Sequence, residues 1–186
     1  MKISRRIEVV LCAVLLLTIS SFAGYASGGA FIGYYSPVLQ ADARSGMVFG
    51  ISSRIKVFET IYAEPYFFQI QERSDKVYSG DMTTTSREGR ISSVGGNLIV
   101  GTWLSETARP YALVGIGLAS VEPQRGANRS NRLCSNWGAG IEYTLIHTHL
   151  FLDVGARLLM IRWENRSYLK STLVNAGLNW YFKLNP

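Results

Sequence analysis

Residue patterning predicts an all-β fold: an eight-stranded antiparallel up-and-down β-barrel that crosses a membrane with strands, preceded by a cleaved signal peptide. Three observations predict it. Eight segments alternate apolar with polar or small residues, the period of two that a strand imposes. The connections between them alternate long and short. Charges within the best-patterned segments share a face with asparagine and glycine, opposite continuous aliphatic rows.

The chain begins as a targeting signal. Lys2, Arg5 and Arg6 give a positive start, broken only by Glu8, and the apolar run Val9–Ile19 is too short to span a bilayer comfortably. Two cuts fit the small residues that follow, after Ala23 or after Ala26. The second is preferred, giving a signal peptide over 1–26 and a barrel domain over 27–186. Cys12 follows Leu11 rather than a small residue, which argues against lipoprotein processing. Without Lys2, Arg5, Arg6 and Glu8, 16 of the 19 basic and 12 of the 13 acidic residues remain, a net charge of +4. So mild an excess does not describe a nucleic-acid binder. Only Cys134 survives cleavage, so the fold stands without an internal disulfide. No later apolar run approaches the length of a transmembrane helix.

The eight candidate strands are Gly29–Ser36, Gly46–Arg54, Ile61–Gln71, Arg90–Trp103, Pro110–Val121, Arg132–Leu145, His149–Ile161 and Leu169–Phe182. The first and third alternate least. The second sets Met47, Phe49 and Ile51 against Val48, Gly50 and Ser52. In the third, aromatics fall on both parities of Tyr62–Phe68. Pro65 lacks a ladder donor, which predicts a bulge or bend there, and Glu64 is placed inward. The fourth opposes Val94, Leu98 and Val100 to Gly95, Asn97 and Gly101, and the fifth opposes Val114, Ile116 and Leu118 to Leu113, Gly115 and Gly117. In the sixth, Leu133, Trp137 and Ile141 face away from Asn136, Gly140 and Glu142. In the seventh, Leu152, Val154 and Leu158 oppose Asp153 and Arg157. The eighth sets Val174, Leu178, Trp180 and Phe182 against Asn175, Gly177 and Asn179, and closes the barrel against the first strand.

Segments 37–45, 72–89, 122–131 and 162–168 are long, polar and charged, whereas 55–60, 104–109 and 146–148 are shorter. Membrane barrels have long extracellular loops and short periplasmic turns, so both termini are expected on the periplasmic side. The glycines fall mainly on the interior parity, as a narrow, side-chain-filled lumen requires. A soluble exported barrel of the lipocalin type is the competing fold. The charges weigh against it: an Arg or Lys facing lipid at the midplane costs roughly 2–4 kcal/mol, so Glu142, Asp153 and Arg157 point inward and the aliphatic rows outward. Trp103, Trp163, Trp180, Tyr143, Tyr181 and Phe182, near strand ends, suit the membrane–water interface.

Three stretches carry a family resemblance: Arg109-Pro110-Tyr111-Ala112-Leu113-Val114-Gly115-Ile116-Gly117, Asn136-Trp137-Gly138-Ala139-Gly140-Ile141-Glu142-Tyr143 and Asn175-Ala176-Gly177-Leu178-Asn179-Trp180-Tyr181-Phe182. In these the chain resembles the small eight-stranded outer-membrane β-barrels, the OmpX- and OmpA-type barrel domains often labelled porin-like. The resemblance implies a bacterial outer-membrane location and insertion by the outer-membrane assembly machinery. It also implies a non-enzymatic structural or surface-interaction role, and a monomer.

Nothing in the sequence marks a catalytic centre, cofactor site or metal site. Glu142, Asp153 and Arg157, with Glu64, are expected to form an interior charge network that is structural; proton or ion conduction is the alternative. His147 and His149 flank Thr148 in a turn and lack the further ligands of a metal centre. A lipid A-modifying enzyme is the other reading of such a barrel, but the His-x-Ser pattern of its deacylases is absent, since His147 is followed by Thr148-His149. Arg125, Arg129, Arg132, Arg162, Arg166 and Lys170 form a basic outer-loop patch suited to lipopolysaccharide phosphates, or else simply solvated loops.

Overall fold

The computed structural model describes residues 25–38, 45–72, 76–79, 82–85, 89–122, 128–146, 149–162 and 168–183. Residues 1–24, which hold most of the expected signal peptide, and Arg125, His147, Trp163 and Arg166, lie outside them. The strands are β1 (Tyr25–Pro37), β2 (Gly46–Lys56), β3 (Ile61–Glu72), β4 (Lys76–Ser79), β5 (Met82–Thr85), β6 (Arg90–Gly101), β7 (Ala108–Glu122), β8 (Ser130–Ile146), β9 (Leu150–Arg162) and β10 (Tyr168–Lys183). Eight of them close a barrel in the order β1-β10-β9-β8-β7-β6-β3-β2, with every neighbouring pair antiparallel. The remaining two, β4 and β5, pair as a hairpin inside the long 72–89 connection, whose polar sequence predicts only a loop.

The last strand does close the barrel on the first. β10 pairs with β1 from Tyr25↔Lys183 to Pro37↔Ser171. β1 begins four residues before the expected Gly29, so Tyr25 and Ala26 are ladder residues, Ala26 opposite Phe182 and Ile55. A ladder row from Asn179 through Gly29, Ser52, Tyr66, Gly95, Gly117, Cys134 and Ile161 returns to β10 at Leu169, ten residues from its start. That stagger fixes the strand tilt and makes each row climb by roughly 3 Å per strand.

Of the expected bulge or bend at Pro65, the register shows no bulge. The β2–β3 register is the same on either side, Ser52↔Tyr66 and Ile55↔Ala63, and the ladder simply lapses between them. Proline has no N–H to donate, and the gap is spanned by side chains instead, with Arg54 Nε donating to Glu64 Oε2 at 2.7 Å. The register shift lies elsewhere, between Thr144 and Ile146 where β8 meets β9.

The outer face is apolar on every barrel strand, with Ile32, Phe49, Phe67, Leu98, Ile116, Trp137, Val154 and Leu178 all exposed. The interior divides into two tiers. Towards the long-loop end, Tyr35, Val48, Ile70, Ile91, Leu159, Ile161 and Leu173 pack into one apolar core. Towards the short-turn end the interior is charged. Glycines let the walls approach: a Cβ at Gly177 would lie 2.6 Å from the Ala30 carbonyl oxygen and 2.7 Å from Phe31 Cβ.

The candidate site is an interior charge cluster

Arg54 on β2 sits at the centre of the charged tier, with no exposure. Its guanidinium reaches three acids on three strands: Nε to Glu64 Oε2 at 2.7 Å, Nη1 to Glu142 Oε1 at 2.5 Å and Nη2 to Asp153 Oδ2 at 2.6 Å. A planar fork with donors on three sides suits this; an ammonium would not span it. Arg109 on β7 pairs with Glu142 and donates to Tyr181 Oη at 2.6 Å. Arg157 on β9 completes the cations, 3.4 Å from Glu64 Oε1.

The remaining acceptors are taken by neutral donors. Asn97 Nδ2 donates to Glu64 at 2.6 Å, Asn179 Nδ2 to Glu142 at 3.0 Å, and the Tyr111 hydroxyl to Asp153 at 2.6 Å. Ser27 Oγ on β1 accepts from the Arg54 backbone N–H at 3.2 Å. Every barrel strand thus contributes a side chain to one network. Aromatics close it at the short-turn mouth: Arg109 lies 4.2 Å from the Tyr62 ring centroid and 5.4 Å from that of Trp103, and Phe151 packs edge-on against Tyr181 at 4.9 Å.

The structure brings Glu64, Glu142, Asp153 and Arg157 together, but the pairing differs from a simple neighbouring-strand bridge. Glu142 faces Asp153 across the β8–β9 ladder, while Arg157 faces Gly138 and pairs with Glu64 instead. Those four alone carry a net charge of −2, which a buried cluster does not tolerate. Arg54 and Arg109 bring it to neutrality, and sequence reasoning missed both. The signal was present: the inner parity of β2, through Val48, Gly50 and Ser52, reaches Arg54, and that of β7 starts at Arg109. Tyr181, placed at the membrane interface by its position near a strand end, instead points inward and is 8% exposed.

Each acid of the cluster faces a cation and a neutral donor, whereas Arg157 Nε and Asn97 Oδ1 are buried without a hydrogen-bond partner. Among the described residues no group of three or more His, Cys, Asp or Glu could hold a metal ion. His149 lies at the short-turn end, stacked on Trp180 with ring centroids 5.6 Å apart.

Three solved structures share this architecture. Neisserial surface protein A matches at 16% identity over 86% of this chain and 98% of its own, with a TM-score of 0.65. Ail, the attachment invasion locus protein of Yersinia pestis, matches at 16% identity over 86% and 99%, with a TM-score of 0.52. A major outer membrane protein from Thermus thermophilus matches at 13% identity over 85% and 98%, with a TM-score of 0.50. The fold is that of the small eight-stranded outer-membrane β-barrels. No protein-family model and no curated protein matches the sequence.

Among the described residues, the basic side chains of the long-loop end stand on both parities of the wall. Arg129 Nε donates to Glu122 at 3.1 Å, and Arg132 is half-buried on the inner parity of β8. Arg162 and Lys170 are exposed on the outer parity of the neighbouring strands β9 and β10. Arg125 and Arg166 lie outside the described residues.

Proposed function

We propose that the chain is a bacterial outer-membrane protein, exported on its N-terminal signal and inserted by the outer-membrane assembly machinery. It acts without catalysis, as a monomeric structural platform that presents its long loops at the cell surface, with both termini periplasmic. One observation carries this reading: the outer face is apolar on all eight strands while Arg54, Glu64, Glu142, Asp153 and Arg157 are buried inside. A soluble barrel would show the reverse on its exterior, and an apolar surface of this extent is not stable in water. The charge network suits a structural role, tying all eight strands in one register.

Arg162 and Lys170 support contact with lipopolysaccharide phosphates. Lys170 faces Met160 across the ladder, so both cations stand just above the apolar rows, at the level of outer-leaflet headgroups. Cell fractionation tests the whole reading. The protein is expected in the outer-membrane fraction, released only by detergent, and to migrate differently on gels before and after boiling; recovery as a soluble periplasmic protein refutes it. Lipid A mass spectra are expected to be the same with and without expression. Arg162→Gln with Lys170→Gln is expected to weaken lipopolysaccharide binding in a salt-dependent assay.

A further inference from the structure

Short turns of a membrane barrel ordinarily offer polar residues to water. Two of these turns also expose large apolar side chains. The β2–β3 turn exposes Val57 by 50% and Phe58 by 66%, and the β6–β7 turn exposes Trp103 by 45% and Leu104 by 74%. The two are neighbours, since the Gly101 N–H donates to the Thr60 carbonyl at 2.9 Å.

Their height in the wall explains them. On β7 and β9 the outward apolar rows run from Ala108 to Leu118 and from Leu150 to Met160. Ten residue steps at ~3.3 Å and a tilt near ~40° span about 25 Å, the apolar band of such barrels. On the adjacent strands β3 and β6 the rows cover only Ile61–Phe67 and Val94–Val100, about 15 Å by the same rise and tilt, and are bounded above by Gln69 and Ser92. With rows climbing by about 3 Å per strand, the shortfall is shared between the two ends: at the lower end Ile61 stops about 4 Å and Val100 about 7 Å above the level of Ala108, where the wall passes into the two turns. Allowing for the climb of each row, Val57 and Leu104 come level with Leu145 and Phe182 to within about 3 Å.

We infer that the β2–β3 and β6–β7 turns are seated in the inner leaflet, with phospholipid acyl chains covering Val57, Phe58 and Leu104. This rests on the membrane-spanning reading above. The exposed Glu59 and Glu106 beside these tips set the depth, keeping the turns at the interface rather than deeper. The lower edge of the apolar band is then level across β2, β3, β6 and β7.

Spin labels test it. Single cysteines replace Val57 or Leu104 in a Cys134→Ser background and carry a nitroxide in phosphatidylethanolamine–phosphatidylglycerol vesicles. Collision with oxygen is compared with collision with a water-soluble nickel chelate. Leu178→Cys marks the mid-wall and Gln71→Cys the water side, and the heat-shift gel confirms folding of each; Phe58→Cys replaces either turn variant that does not fold. The turn labels are expected to favour oxygen several-fold over the label at position 71 and to group with position 178. Grouping with position 71 places the turns in water and overturns the inference alone. Labels shielded from both reagents indicate a protein cover and also overturn it. If position 178 itself reads as water-exposed, the membrane-spanning reading fails first.

Discussion

Arg54 shows how much a single buried side chain decides. It is the one cation that touches all three interior acids, so removing it leaves Glu64, Glu142 and Asp153 facing one another at low dielectric. Arg54→Met is expected to destabilise the barrel by roughly 3–5 kcal/mol, read as a lower midpoint in urea unfolding of the folded gel form. Arg54→Lys should rescue little of this, because one ammonium cannot engage three carboxylates on three strands. Glycines separate by the same logic of local geometry. Gly177→Ala drives a Cβ into the Ala30 carbonyl and Phe31, and should cost roughly 1–3 kcal/mol in that assay. Gly96→Ala meets nothing within 4 Å, and should leave stability unchanged or raise it by up to ~1 kcal/mol.

At the scale of strands, most elements are legible because each pairs an apolar parity with a small or polar one. β7, β8, β9 and β10 read correctly for that reason. The start of β1 escapes a hydropathy reading because Ser27 and Gly28 carry no such signal, although they pair fully with β10. The β4–β5 hairpin escapes it because each strand is four residues long and carries a single aliphatic-type side chain, Val77 or Met82, too few to show a period of two. β1 also bears on export. A cut after Ala26 removes two residues from its ladder with β10 and one from its ladder with β2, whereas a cut after Ala23 spares them. The intact mass and N-terminal sequence of the exported protein are therefore expected to begin at Gly24; a start at Ser27 would show that the ladder tolerates the loss.

The whole molecule is a closed wall around a filled interior. An eight-stranded barrel has room for side chains and little else. Here the long-loop half is occupied by Tyr35, Val48, Ile70 and Ile161, none with any exposure, and the other half by a neutral charge cluster under aromatic rings. Planar-bilayer recordings are expected to show no discrete conductance steps; regular openings would contradict a filled lumen.

Residue order alone settles the number of barrel strands, the facing of the well-patterned ones and closure of the last strand on the first. Those follow from a period of two and from the hydrogen-bonding demand that a sheet in hydrocarbon leave no edge. Which inward charges meet is settled only in three dimensions. Partners such as Arg54 and Asp153 lie 99 positions apart and are joined across the lumen by a stagger of ten residues, which no local pattern encodes. The same holds for an interior that is apolar in one half and ionic in the other. Inward parity says only that a residue faces the lumen, and height within the barrel says what it meets there.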